Sequence, residues 1–230
     1  MSEVARPAFY ALRPGGWRDY ATLLHPPYTL WHLSYVALGA ALAPRMQWGL
    51  LGWTVLAFLL AMGVGAHALD ELQGRPLRTL IPNSVLVGLA IVSVAAACAI
   101  GVAVAARTTW WLVPFVAVGG ILVVAYNLEL FGGAMHGDYW FAGAWGAFPV
   151  LTAYFASAER IRGGALAAAI FAFLVSLAQR RLSTEARRVR RGGAETEGAS
   201  AALHAPESAL RLLSAALPAL AGAVLLMRVG

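Results

Sequence analysis

The sequence predicts an all-α fold, a polytopic membrane bundle of about seven transmembrane helices forming one integral membrane domain over residues 1–230. Three observations predict it. Of the 230 residues 60% are hydrophobic and 12% charged, whereas soluble domains carry roughly 25% charged residues. The apolar residues fall in blocks approaching the ~20 residues that a bilayer core requires, not in the periodic stripes of a water-soluble core. Small residues recur within the blocks, as at Gly63–Gly65, Gly119-Gly120 and the alanines before Cys98, and they permit close helix approach in lipid.

The blocks follow in order. Tyr28–Ala43 is flanked by Pro26-Pro27, and Gln47–Leu69 ends where His67, Asp70 and Glu71 make the chain polar. Ser84–Ala106 and Thr109–Leu130 come next, the latter stopping ahead of Gly132-Gly133. Tyr139–Ser157, the short Gly164–Ala178 and Ala209–Met227 complete the set. Trp48, Trp53, Trp110, Trp111 and Trp140 lie near block ends, where an aromatic belt forms. Between the sixth and seventh blocks, residues 182–205 read as a polar, Arg-rich cytoplasmic loop that also carries Glu185, Glu195 and Glu197.

The net charge is +6 and all 17 basic residues are arginines. In a soluble chain such a balance points to nucleic acid; in a membrane chain arginine first sets orientation, so no nucleic-acid partner is expected. Arg6, Arg13, Arg18, Arg75, Arg78 and the six arginines between 180 and 191 fall on one side, against Arg45, Arg107, Arg160, Arg162 and Arg228 on the other. This predicts an inner or plasma membrane protein with a cytoplasmic N-terminus. The first 26 residues lack the apolar stretch of a cleavable signal. The single cysteine, Cys98, supplies neither a disulfide framework nor a zinc ribbon.

Ionisable residues in or at the ends of spans are costly and mark function. His67, Asp70 and Glu71 stand at i, i+3 and i+4, one face of a helix that Pro76 stops. An imidazole and two carboxylates there suit a divalent cation: Mg²⁺ or Mn²⁺ for the oxygens, with the histidine tolerating Fe or Zn. A plainer use of Asp70 or Glu71 is an ion pair with Arg75 or Arg78. A second cluster joins the fourth and fifth spans: Tyr126, Asn127, Glu129, His136 and Asp138, with Gly132-Gly133 able to bend His136 and Asp138 back toward the bundle. Topology puts both clusters on the cytoplasmic face, where they would line one polar cavity. His32 reads as an interfacial or core histidine, His25 and His204 as solvent-facing. The Arg-rich loop reads as a solvated segment near anionic headgroups, or as a grip on a phosphate-bearing substrate. There is no Gly-x-Ser-x-Gly elbow, Walker loop, His-Glu-x-x-His or Cys-x-x-Cys.

The stretch Ala66-His67-Ala-Leu-Asp70-Glu71-Leu-Gln73-Gly74-Arg75-Pro76-Leu77 resembles the aspartate-rich motif of the UbiA-type prenyltransferase superfamily, Asn-Asp-x-x-Asp-x-x-x-Asp followed by Arg-Pro-Leu. Asp70 falls on its middle aspartate, His67 on the first and Gly74 on the last. Ala125-Tyr126-Asn127 and Ala144-Trp145-Gly146 are similar to that family's tyrosine-bearing fourth and Gly-rich fifth helices. Its second aspartate motif has no counterpart in Leu177–Glu185, which contains no aspartate. The resemblance implies a UbiA-like fold and transfer of a prenyl group from a polyprenyl diphosphate to a lipid or aromatic acceptor. It implies catalytic Asp70, Glu71 and Glu129, with Mg²⁺ held among His67, Asp70, Glu71, Glu129 and His136. Arg75, Tyr126 and Asn127 would bind the substrate, Arg75 steadying the leaving group. The residues themselves leave two alternatives open, a metal-dependent lipid hydrolase or oxidase and a non-catalytic lipid- or quinone-binding subunit or small transporter.

Overall fold

The structure, a computed structural model, describes residues 6–192 and 197–229. The described chain is helical without strands. A short helix α1, Trp17–Leu23, leads into α2, Pro26–Ala41. Helix α3, Trp48–Leu72, contains a π-helical stretch at Leu59–Ala66. Helices α4, Asn83–Ala105, and α5, Trp110–Asn127, follow. Helix α6 covers 138–158 and is π-helical at Gly143–Ala147, α7 is Gly163–Arg191 and α8 is Glu197–Leu226.

Five of these, α3, α4, α5, α7 and α8, are long and apolar enough to cross a membrane. Their outward positions keep large apolar side chains in the open: Ile91 is 64% exposed, Val92 68% and Ile170 61%. In water such surface would draw the chains together; in a bilayer it is ordinary lipid contact. Helix α2, 16 residues long, differs in kind. It sits inside the bundle, with Trp31, Tyr35 and Val36 wholly buried against α6, α7 and α8. Trp31 Nε1 donates to Tyr35 Oη at 2.7 Å and Ser176 Oγ of α7 to the same oxygen at 3.3 Å, so the buried polar atoms answer one another.

Two glycines set the closest helix crossings. A Cβ at Gly39 of α2 would lie 2.3 Å from the Val150 carbonyl oxygen of α6, and one at Gly146 of α6 would lie 2.5 Å from that of Ala172 in α7. Backbone touches backbone there, the use of small residues expected between lipid-immersed helices.

One element departs from the sequence reading. Residues 182–191 and 197–205, read as loop, are helical: α7 runs through to Arg191 and α8 begins at Glu197. The segment is rich in Arg, Ala, Glu and Leu, all good helix formers, and Ala186 and Leu203 bury against Val189. An exposed Glu185–Arg188 pair at 2.6 Å adds an i,i+3 bridge. Glu195 lies outside the described residues.

Candidate functional site

At one end of the bundle the helix ends enclose a polar chamber of about 150 Å³. The starts of α2, α6 and α8 meet the ends of α3, α5 and α7 there, and residues 7–10 close it over. Of the residues singled out by sequence, His67, Asp70, Tyr126, Asn127 and His136 line this chamber. The two clusters, far apart in sequence, therefore share one cavity.

Four of the expected residues, Glu71, Arg75, Glu129 and Asp138, lie outside the chamber lining. Glu71 is fully buried and accepts from the Leu77 N–H at 3.0 Å and from the Thr79 N–H and hydroxyl at 2.8 Å each. It staples the loop that folds back after Gly74, whose φ of 84° makes the turn, and its lone pairs are spent on that loop. Arg75 donates to the Ile81 carbonyl at 2.6 Å, to the Thr79 carbonyl at 3.3 Å and to Asn83 Oδ1, so it braces the same loop. Glu129 has a side chain 55% exposed, 3.9 Å from His136 Nε2, and lies outside the chamber. The five expected metal ligands do not converge: among the described residues no group of three His, Cys, Asp or Glu side chains is placed to hold a metal ion.

Two of the chamber's histidines, His67 and His32, hydrogen-bond to carbonyls within the π-helical stretches. A π turn shifts the i→i−4 ladder and frees backbone carbonyls. His67 Nδ1 takes the Gly63 carbonyl, 3.0 Å away inside the first stretch, and His32 Nδ1 takes the Trp145 carbonyl, 2.8 Å away inside the second. His136 Nδ1 does the same with the Tyr126 carbonyl at 2.9 Å. A carbonyl only accepts, so each Nδ1 carries the proton and each Nε2 keeps a lone pair. His32, expected as an interfacial or core histidine, is buried and also lines the chamber.

His25, expected in solvent, is part of the site. It caps the start of α2 at a left-handed φ of 46°, its ring stacked on His67 at 3.9 Å and its Nδ1 2.6 Å from Tyr10 Oη. A non-glycine residue held there marks a position fixed by its surroundings. Burial lowers its pKa well below the usual histidine value, with His67 and Arg187 adding to the effect. Burial likewise raises that of Tyr10, so the phenol stays protonated.

Sequence reasoning did not single out Gln179 and Arg180 of α7, which line the chamber beside Arg187, one of the arginines the sequence offered as a grip on phosphate. Arg180 sits 3.4 Å from Asp138 and over the Phe141 ring at 5.5 Å. The available signal was their common face on a helix that outlasts its apolar span. The Asp70 carboxylate makes no hydrogen bond or ion pair with another described residue, although Arg187 and Arg180 lie within electrostatic reach. Buried Tyr126 Oη, Gln179 Oε1 and His25 Nε2 also lack partners among the described residues. A buried polar atom left unpaired costs about 1–3 kcal/mol, so the chamber is built for something that answers them.

Behind the chamber an apolar cleft of about 90 Å³ runs between α3, α4, α5 and α6, lined by Phe58, Val94, Cys98, Val116 and Phe148. Met62 and Trp145 border both cavities. Comparison with protein families, curated proteins and solved structures gives no match.

Proposed function

We propose that the chain is a UbiA-like intramembrane prenyltransferase of seven spans, α2 to α8, taking a polyprenyl diphosphate with its head in the polar chamber and its tail in the apolar cleft. The single observation that carries this reading is the shared Met62–Trp145 border. A polar and an apolar cavity end to end match an amphiphile, since each methylene buried in the cleft contributes about 0.8 kcal/mol while the chamber satisfies the head. Asp70, whose carboxylate has no partner among the described residues, would hold Mg²⁺, which takes its remaining oxygens from phosphate and water. The chemistry that Mg²⁺ held by Asp70 would supply is Lewis-acid stabilisation of the departing diphosphate. Tyr126 and Trp145 meet edge to face in the chamber wall, ring centroids 5.7 Å apart, and an aromatic face there would suit an allylic cation.

The test is prenyl transfer by purified protein supplied with farnesyl or geranylgeranyl diphosphate and Mg²⁺. Asp70→Asn is expected to lower turnover at least about a hundredfold, the scale of losing metal charge stabilisation, while the protein stays monodisperse. Ala57→Trp, which fills the cleft, is expected to abolish use of long chains and spare short ones. Full activity in Asp70→Asn overturns the reading. A second reading, a non-catalytic subunit holding a quinone or similar lipid, is favoured by Tyr126 Oη and Gln179 Oε1, which a neutral carbonyl or hydroxyl head would satisfy. It predicts binding without turnover.

A further inference from the structure

We infer that Arg180 and Arg187 of α7, with the hydroxyl of Tyr126, form an anion site for a phosphate or diphosphate group that works without a metal, on the wall where the sequence has no second aspartate motif. Its assignment to a leaving diphosphate rests on the prenyl-transfer reading above. The two arginines are seven residues apart, two turns of one helix and therefore one face, and both line the chamber with Tyr126.

Each guanidinium offers five N–H donors, and each spends one on a described residue. Arg180 Nε turns to Asp138 at 3.4 Å and Arg187 Nη2 to Thr184 Oγ1 at 3.2 Å. The remaining donors have no partner among the described residues. Arg187 has no carboxylate within ion-pair distance there, although Asp70 is within electrostatic reach. Tyr126 supplies the independent sign of a ligand: it is 4% exposed, its hydroxyl has no partner among the described residues, and Arg180 and Arg187 both act on it electrostatically. A guanidinium fork matches two phosphate oxygens at once, which an ammonium does not. The C-terminal half of α7 carries the negative end of its helix dipole, so these side chains must supply the positive field themselves. Asp70 on the opposing helix completes the arrangement, one anionic wall for a cation and one cationic wall for phosphate oxygens.

The experiment titrates inorganic pyrophosphate into detergent-purified full-length protein in Mg²⁺-free buffer with a chelator, read by calorimetry. The wild type is expected to saturate, Arg187→Gln to bind about ten- to a hundredfold more weakly, the worth of a charge-assisted hydrogen bond, and Arg187→Lys to fall between them. Arg181→Gln, an exposed neighbour on the same helix, is expected to bind as the wild type does, which separates the site from general positive charge. A short-chain prenyl diphosphate should displace pyrophosphate in the wild type. Equal affinity of Arg187→Gln and wild type, no binding until Mg²⁺ is added, or displacement by phosphatidate micelles alone each overturns the assignment. Because pyrophosphate binding needs no turnover, loss of the site in Arg187→Gln with no transfer in any variant would sink the transferase reading and leave the anion site standing.

Discussion

At the scale of single residues, the chamber separates side chains that build the site from side chains that face it. Glu71 belongs to the first kind. It answers three donors on the returning loop, so Glu71→Ala would strand them in a buried setting and is expected to cost about 3 kcal/mol or more. A lowered melting temperature with unchanged pyrophosphate affinity is the result to look for; a loss of affinity at unchanged stability would return Glu71 to the ligand set. His25 gives the pH dependence of the fold. Its folded pKa lies well below its ordinary 6.5 because burial, with His67 and Arg187 beside it, disfavours the imidazolium. The unfolded chain therefore binds more protons below 6.5, so stability is intact above that pH and declines as pH falls beneath it. Melting temperatures of the wild type should drop on acidification below pH 6.5, and His25→Phe, which removes that proton uptake, should show a shallower slope. Equal slopes would mean that His25 is protonated in the folded protein.

At the scale of elements, packing rests on close helix approaches. Gly146→Ala forces a methyl to within 2.5 Å of the Ala172 carbonyl oxygen, an atom that cannot swing away, so α6 and α7 must part. The expected penalty is about 1–3 kcal/mol, visible as a lower melting temperature, and Gly146→Leu should give no monodisperse protein. Gly163→Ala, which meets nothing within 4 Å, is the control. The positions of α3, α4, α5 and the apolar C-terminal part of α8 were legible because hydropathy alone marks a lipid-facing helix. The extension of α7 to Arg191 was not, because a run of arginines reads as loop when polarity is the ruler, although arginine is a good helix former. His67, Asp70, Tyr126 and His136 could be named in advance because ionisable and amide-bearing helix ends stand out against apolar spans. Tyr10 and His25 could not, since a polar N-terminal segment carries no periodic signal. Nor could the π-helical turns that free the Gly63 and Trp145 carbonyls for histidines, because a one-residue slip in the hydrogen-bond ladder leaves hydropathy unchanged.

At the scale of the whole molecule, the two ends of the bundle carry unequal charge. The chamber end gathers Arg13, Arg18, Arg75, Arg78 and the arginines of the last turns of α7. The opposite end has Arg45, Arg107, Arg160 and Arg162 in its turns, and Arg228, which donates to the Ala43 carbonyl at 2.8 Å and so ties the C-terminal end to the turn after α2. Arginine-rich ends are retained in the cytoplasm, so the chamber is expected to open inward, where a soluble acceptor and Mg²⁺ would reach it. The prediction can be read in intact cells with a membrane-impermeant maleimide, after Cys98→Ala removes the only native thiol. Ser84→Cys, exposed at the start of α4, reports the chamber end, and Ala106→Cys, exposed just past the end of the same helix, reports the other. Labelling of Ala106→Cys in whole cells, with Ser84→Cys reacting only after lysis, is the expected pattern. The reverse would turn the chamber outward, away from cytoplasmic Mg²⁺ and diphosphates, and would favour the lipid-binding reading over transfer. Reaction of both positions before lysis would mean that α4 does not cross the bilayer at all.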